Sequence, residues 1–189
     1  MTGTSITKTL LIMAGFGVLG ATPLFAGTRE SVREILGGRH PIPMTADQWL
    51  KLGVDVDLQL IEAAGDKDLR YGERQRAMSG LAVVGGARAK EFLRQTIERA
   101  KVAPELLSSA VYSYARGFSA TDPGDVRFVS VPLLDHVDWV VRQGAVRALA
   151  ELGTKEAREA LRDRQTREPH PAVQTALRKA LGQSENQKR

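Results

Sequence analysis

Cysteine is absent from this chain of 189 residues, which excludes disulfides, thiolate metal sites and a lipid-modified cysteine. Aromatic residues are nearly as scarce, at 5% of positions, while 42% are apolar. That balance fits helices packed through alanine and leucine rather than a β-sandwich. Only three histidines occur, so imidazole chemistry is confined to His40, His136 and His170. One domain is expected at this length, and it is long enough to bury a continuous core unaided by covalent or metal cross-links.

What is present is concentrated in Trp139–Arg164, WVVRQGAVRALAELGTKEAREALRDR. Val141, Ala145, Ala148, Leu149 and Leu152 fall at i, i+4, i+7, i+8 and i+11, one stripe of a 3.6-residue helix. Asp138 stands at the N-cap position and Gly153 where a left-handed residue ends a helix. Thr154 then caps a second helix whose Ala157, Ala160 and Leu161 share a face. Neither helix can bury its stripe alone, so each needs its partner and a neighbouring pair.

The pattern recurs. Arg142-Gln143-x-Ala145-x-x-Ala148-Leu149-x-x-Leu152-Gly153, moved back by 68 residues, lands on Arg74-Gln75-x-Ala77-x-x-Gly80-Leu81-x-x-Val84-Gly85. Trp139 falls on Tyr71, and Ala157 and Leu161 on Ala89 and Leu93. Halfway between, Leu107, Ala110, Val111 and Tyr114 form a stripe ending at Gly117. Further on, Val173, Ala180 and Leu181 repeat Val141, Ala148 and Leu149. Helix pairs spaced by roughly 32–35 residues are the sequence sign of an α-solenoid.

The run DHVDWVVRQGAVRALAELG resembles the bacterial HEAT-like repeat also seen in phycobilin lyases, with Asp138, Val141, Arg142, Ala145, Ala148, Leu149, Leu152 and Gly153 at the hallmark positions. Arg74–Gly85 matches fairly and Pro171–Gly182 partly; the middle departs, with Ser108 in place of the arginine and Pro132 intruding. The resemblance implies an all-α, right-handed α-solenoid of about four to five helix pairs. It also implies that Arg74 and Arg142 tie successive repeats together.

Along the chain, Lys8, the apolar run Leu10–Ala21, Pro23 and Ala26 have a signal-peptide layout. Residues 1–26 are therefore expected to be removed, placing the protein in the periplasm or outside the cell; uncleaved, the segment would be a short membrane anchor. Residues 27–43 are read as an N-terminal segment and linker, with a short amphipathic helix through Val32, Ile35 and Leu36. Residues 44–182 form the repeat domain. Thr45-x-x-Gln48 is a capping box that opens a helix carrying Trp49 and Leu52, with Val54–Ala64 as its partner. Pro104 suits a first helical turn. Asp122 can cap a helix that Pro132 must shorten or kink, and the polar residues 183–189 are expected to be disordered.

Catalytic constellations are missing from this pattern. No Ser/His/Asp set can be chosen without arbitrariness, and Gly85-Gly86 lacks a phosphate-loop context. Asp135-His136-x-Asp138 could offer two carboxylates and an imidazole to a metal, but it stands at an inter-repeat turn, where aspartates cap helices. No catalytic residue, metal or cofactor is expected. Trp49, Tyr71, Tyr112, Tyr114 and Trp139 include the best interface anchors, although helical spacing puts most of them in the core.

Residues 140–189 hold 11 Lys and Arg against 6 Asp and Glu. Arg158, Arg162 and Arg164 alternate with Glu156, Glu159 and Asp163, as on a solvated, salt-bridge-laced surface. An anionic partner is the alternative use of that basic end. The pI of about 9.7 invites nucleic acid, which the export signal disfavours. The expected function is an exported, non-catalytic scaffold that binds another protein. Polar positions on the second helices, Arg94, Glu98, Arg158 and Arg162, are the partner-binding candidates. The lyase branch of the resemblance implies a rival, an enzyme or chromophore-handling protein.

Overall fold

Each helix begins and ends where local chemistry stops the backbone ladder from continuing. The computed structural model describes residues 26–38, 43–99 and 101–182. Among these residues there is no strand, and no helix is long and apolar enough to cross a membrane. The helices are α1 (Ala26–Gly37), α2 (Ala46–Leu50), α3 (Val56–Gly65), α4 (Tyr71–Val84), α5 (Gly86–Glu98), α6 (Pro104–Phe118), α7 (Pro123–Ser130), α8 (Trp139–Leu152), α9 (Lys155–Arg167) and α10 (Pro171–Ala180).

The expected caps are in place. Thr45 and Gln48 form the reciprocal capping box of α2. Asp122 accepts from the Asp125 N–H, Asp138 from the Val140 N–H at 2.8 Å, and Thr154 from the Ala157 N–H at 3.2 Å. These bonds satisfy amides that a helix start otherwise leaves unpaired. Pro132 ends α7 at Ser130 and opens a 3₁₀ turn, Pro132–Asp135, since proline cannot donate to the helical ladder.

Gly153 closes α8 at φ 64° and ψ 8°, and its N–H bonds to the Leu149 carbonyl. Any other L-residue pays a steric penalty there of about 1 kcal/mol. Gly153→Ala is therefore expected to lower unfolding free energy by about 1 kcal/mol in chemical denaturation, with Gly153→Asn losing less.

The helices stack in two rows. First helices α4, α6, α8 and α10 pack each on the next, while second helices α3, α5, α7 and α9 lie between successive first helices. Val141, Ala145, Ala148 and Leu149 of the predicted stripe are fully buried, as are Ala89, Leu93, Ala157 and Leu161 of the second helices. Two apolar clusters result, one from Val32 to Ala148 and one from Leu134 to Leu177, with Leu133 and Leu152 packed against both.

The N-terminal boundary differs from the expected one. Val32 and Leu36 are buried in the main cluster, and α1 packs on α3 and α4. Part of the stretch read as segment and linker is thus continuous with the repeat domain. Helix α2 has only five residues and takes a first-helix place against α4; Trp49, 5% exposed, supplies most of its anchoring. The tail assignment, residues 183–189, lies outside the described residues, as does the signal-peptide assignment, residues 1–26, except for Ala26, which opens α1.

Candidate partner-binding site

The most elaborate polar cluster lies where α8, α9 and α10 meet. Arg142, one turn into α8, sends Nε and Nη2 to the two oxygens of Glu168 at 2.9 and 2.8 Å. Its Nη1 reaches back to the carbonyls of His136 and Val137 at 2.9 and 3.0 Å. Arg164 donates to Glu168 at 2.8 and 2.6 Å and to Asp135 at 2.8 Å. The His170 amide adds a bond of 2.8 Å to Glu168. Burial pushes the Glu168 carboxyl upward, but the bonds from Arg142, His170 N–H and Arg164 outweigh it and hold the group at about 2. All three side chains are buried, so one carboxylate locks the ends of three helices.

This cluster underlies a cleft of about 440 Å³ rimmed by Val137, Trp139, Pro169 and His170. Trp139 stacks on His170, with ring centroids 4.3 Å apart and planes inclined by 5°. The 68-residue register leads to a second cleft on the same edge, at the meeting of α4, α5 and α6. It measures about 560 Å³ and is lined by Lys67, Tyr71, Arg74, Phe92, Arg99 and Lys101, among others. Tyr71 is 54% exposed, Val137 91% and Trp139 39%. The edge thus offers uncovered apolar side chains beside both clefts.

Arg94 and Glu98 are brought together, at 2.9 Å, and Arg94 also pairs with Asp125 of α7. Tyr114, buried on α6, donates its hydroxyl to the same Asp125. Arg158 bonds to the Gly153 carbonyl at 2.5 Å. Arg162 is exposed on α9. The four positions do not form one cluster; three of them make bonds within the fold.

Arg164 departs from the expected solvated surface. It lies seven and three residues beyond Ala157 and Leu161, on the face that α9 buries, and there it meets Glu168. Arg167 likewise spends its charge on Asp135 and Asp163, at 2.5 and 2.9 Å. Arg142, Arg164 and Arg167 are therefore held by carboxylates, of which only Asp135 comes from outside residues 140–189. Asp135-His136-x-Asp138 does turn chemistry: His136 Nδ1 accepts from the Asp138 N–H at 3.0 Å, Asp138 caps α8, and Asp135 receives the two arginines. Arginine hydrogen bonds, first from Arg167 and also from Arg164, hold the Asp135 carboxyl below its ordinary range.

Glu168 itself was not among the candidate residues, though its signal was available: an acid four residues after an arginine on the buried face of α9.

Residues 129–189 match the family of HEAT repeats. Among solved structures, the chain is similar to the complex of CpcE and CpcF of phycocyanin lyase from Nostoc sp. PCC7120. The identity is 16% and the TM-score 0.60, over 81% of this chain and 97% of that one. A comparison with curated protein sequences finds no match. Helix stacking and matched repeat residues together define the class: the chain has a HEAT-like helical-repeat fold, and residues 129–189 carry the HEAT-repeat match.

Proposed function

We propose that the protein is an exported scaffold, working in the periplasm or outside the cell, that binds another protein without catalysing a reaction. The observation that carries this reading is the edge with two register-equivalent clefts and the exposed Tyr71, Val137 and Trp139. Large side chains left uncovered beside a concave surface are typical interface anchors. The clustered carboxylates and guanidinium groups around α8–α10 are already paired with one another, as in structural ion-pair networks rather than acid–base centres. The structural neighbour, a complex of two proteins, adds support for a protein partner. A right-handed superhelix is the expected sense of the stack.

The test is site-specific photocrosslinking in the native cell, combined with fractionation and intact mass. A photoreactive residue at position 71 or 137 should give a defined adduct, and one at position 51 should not. The processed protein should begin near Gly27 and leave the cytoplasm. Equal, diffuse labelling at all three positions, or full-length protein in the cytosol, would count against the scaffold or its export respectively.

The second reading, an enzyme or chromophore-handling protein, draws its support from the likeness to the phycocyanin lyase complex. Fold likeness alone carries little functional weight. A visible-range spectral shift when the purified protein meets a bilin would favour it.

A further inference from the structure

We propose that the cleft between α4, α5 and α6 binds a glutamate side chain from an acidic peptide segment of a partner protein, at the place that Glu168 fills in the last repeats. This deepens the scaffold reading and rests on it. The two clefts are the same construction 68 residues apart, since α4 begins at Tyr71 and α8 at Trp139. Their polar residues differ in sign. Lys67 stands where the later repeat has Asp135, Arg70 where it has Asp138, and Lys101 where it has Pro169. Thr96 replaces Arg164, and in the sequence Ala100 holds the register of Glu168. The arginine that grips the carboxylate is retained, as Arg74 in place of Arg142.

The later cluster balances Arg142, Arg164 and Arg167 against Asp135, Asp138 and Glu168. The earlier cleft is lined by Lys67, Arg70, Arg74, Arg99 and Lys101, and no acidic side chain lines it among the described residues. Arg70 is held by Glu73 at 2.6 Å. Arg74 donates only its Nε, to the Ala64 carbonyl at 3.0 Å, so its terminal nitrogens have no hydrogen-bond partner among the described residues. A guanidinium fork with free donors beside unneutralised ammonium groups is a carboxylate receptor.

The internal counterpart shows the chemistry of the ligand. Glu168 is a carboxylate carried on a Glu-Pro-His-Pro connection leading into a helix, with one peptide N–H adding to its bonds. Tyr71 and Phe92, with Leu106, line the same cleft and offer apolar surface to the residues flanking such a glutamate.

The test uses the purified chain and fluorescein-labelled hexaglutamate, read by anisotropy. Binding should weaken about tenfold in Arg74→Gln, since a charge-assisted bidentate bond is lost. It should weaken severalfold in Lys67→Gln with Lys101→Gln, and stay unchanged in Lys51→Gln, an exposed cation away from this cleft. Unlabelled hexaglutamine should not compete. No binding, or an equal loss in Lys51→Gln and Arg74→Gln, would overturn the site. Displacement by inorganic phosphate beyond its ionic-strength effect would also overturn it as a peptide-carboxylate receptor. Helical circular dichroism checks the fold of each variant; if Arg74→Gln does not fold, Lys67→Glu with Lys101→Glu must abolish binding. A peptide that fails while position 71 still crosslinks in cells removes this inference and leaves the scaffold standing.

Discussion

Replacing Glu168 by alanine is expected to lower the unfolding free energy by about 4 kcal/mol, within the range for breaking a buried ion pair. The cause is the pair of cations left behind. Arg142 and Arg164 are 7% and 8% exposed, and without Glu168 they lose four donated bonds in a site closed to bulk water. Glu168→Gln keeps the shape and part of the bonding, so its effect should be smaller. Its pH dependence is the sharper measurement. The folded carboxyl sits at about 2, below its ordinary value of 4.5. A depressed acid stabilises fully above the unfolded value and loses that contribution as pH falls toward the folded one. At about 1.4 kcal/mol per tenfold in proton affinity, the contribution is about 3 kcal/mol. The stability gap between wild type and Glu168→Gln should be complete above about pH 5 and shrink toward zero near pH 2. Chemical denaturation across that window would show it; a gap unchanged between neutral pH and pH 3 would refute the ion-pair account.

Gly144→Ala is expected to destabilise by about 2 kcal/mol and to lower the melting temperature by about 4–8 °C. A Cβ built at Gly144 would lie 2.8 Å from the Ser108 Cα and 2.9 Å from its carbonyl oxygen. These are backbone atoms, so a rotamer change cannot relieve the clash and α6 must move away from α8. Overpacking of that kind costs up to about 3 kcal/mol, offset by about 1 kcal/mol of helix propensity gained. Gly72→Ala in α4, where nothing lies within 4 Å of the added carbon, is the control and should be neutral or slightly stabilising. If the two variants behaved alike, close approach would not be what Gly144 provides.

The same Ser108–Gly144 contact illuminates the departure at Ser108. The repeat resemblance calls for an arginine there, and the small residue instead lets α6 come close to α8. Periodicity made the helix faces legible, and Asp138, Gly153 and Thr154 made the boundaries legible, because stripes and caps depend on residues near in sequence. The two-cleft edge was less accessible. It depends on Arg142 finding Glu168 across 26 residues. Charge counts also hid which cations are held: Arg142 and Arg164 are buried on Glu168, and Asp135 brings one further carboxylate from outside the last repeats. The ammonium groups of Lys67 and Lys101 stand beside α4–α6 without such partners among the described residues.

The two rows are joined by different forces, and this gives the stack a soft side and a stiff side. First helices meet through Gly144, Gly117 and buried alanines, contacts that salt does not weaken. Second helices reach their neighbours through charge: Arg88 to Asp57 at 2.6 Å, Lys90 to Asp122 at 2.6 Å, and Arg94 to Asp125. Such exposed or half-buried pairs contribute little and are screened by ions. Rising ionic strength therefore loosens one flank while the other keeps its spacing. The protein behaves like a bound book, with an apolar spine and pages clasped by electrolyte-sensitive ties.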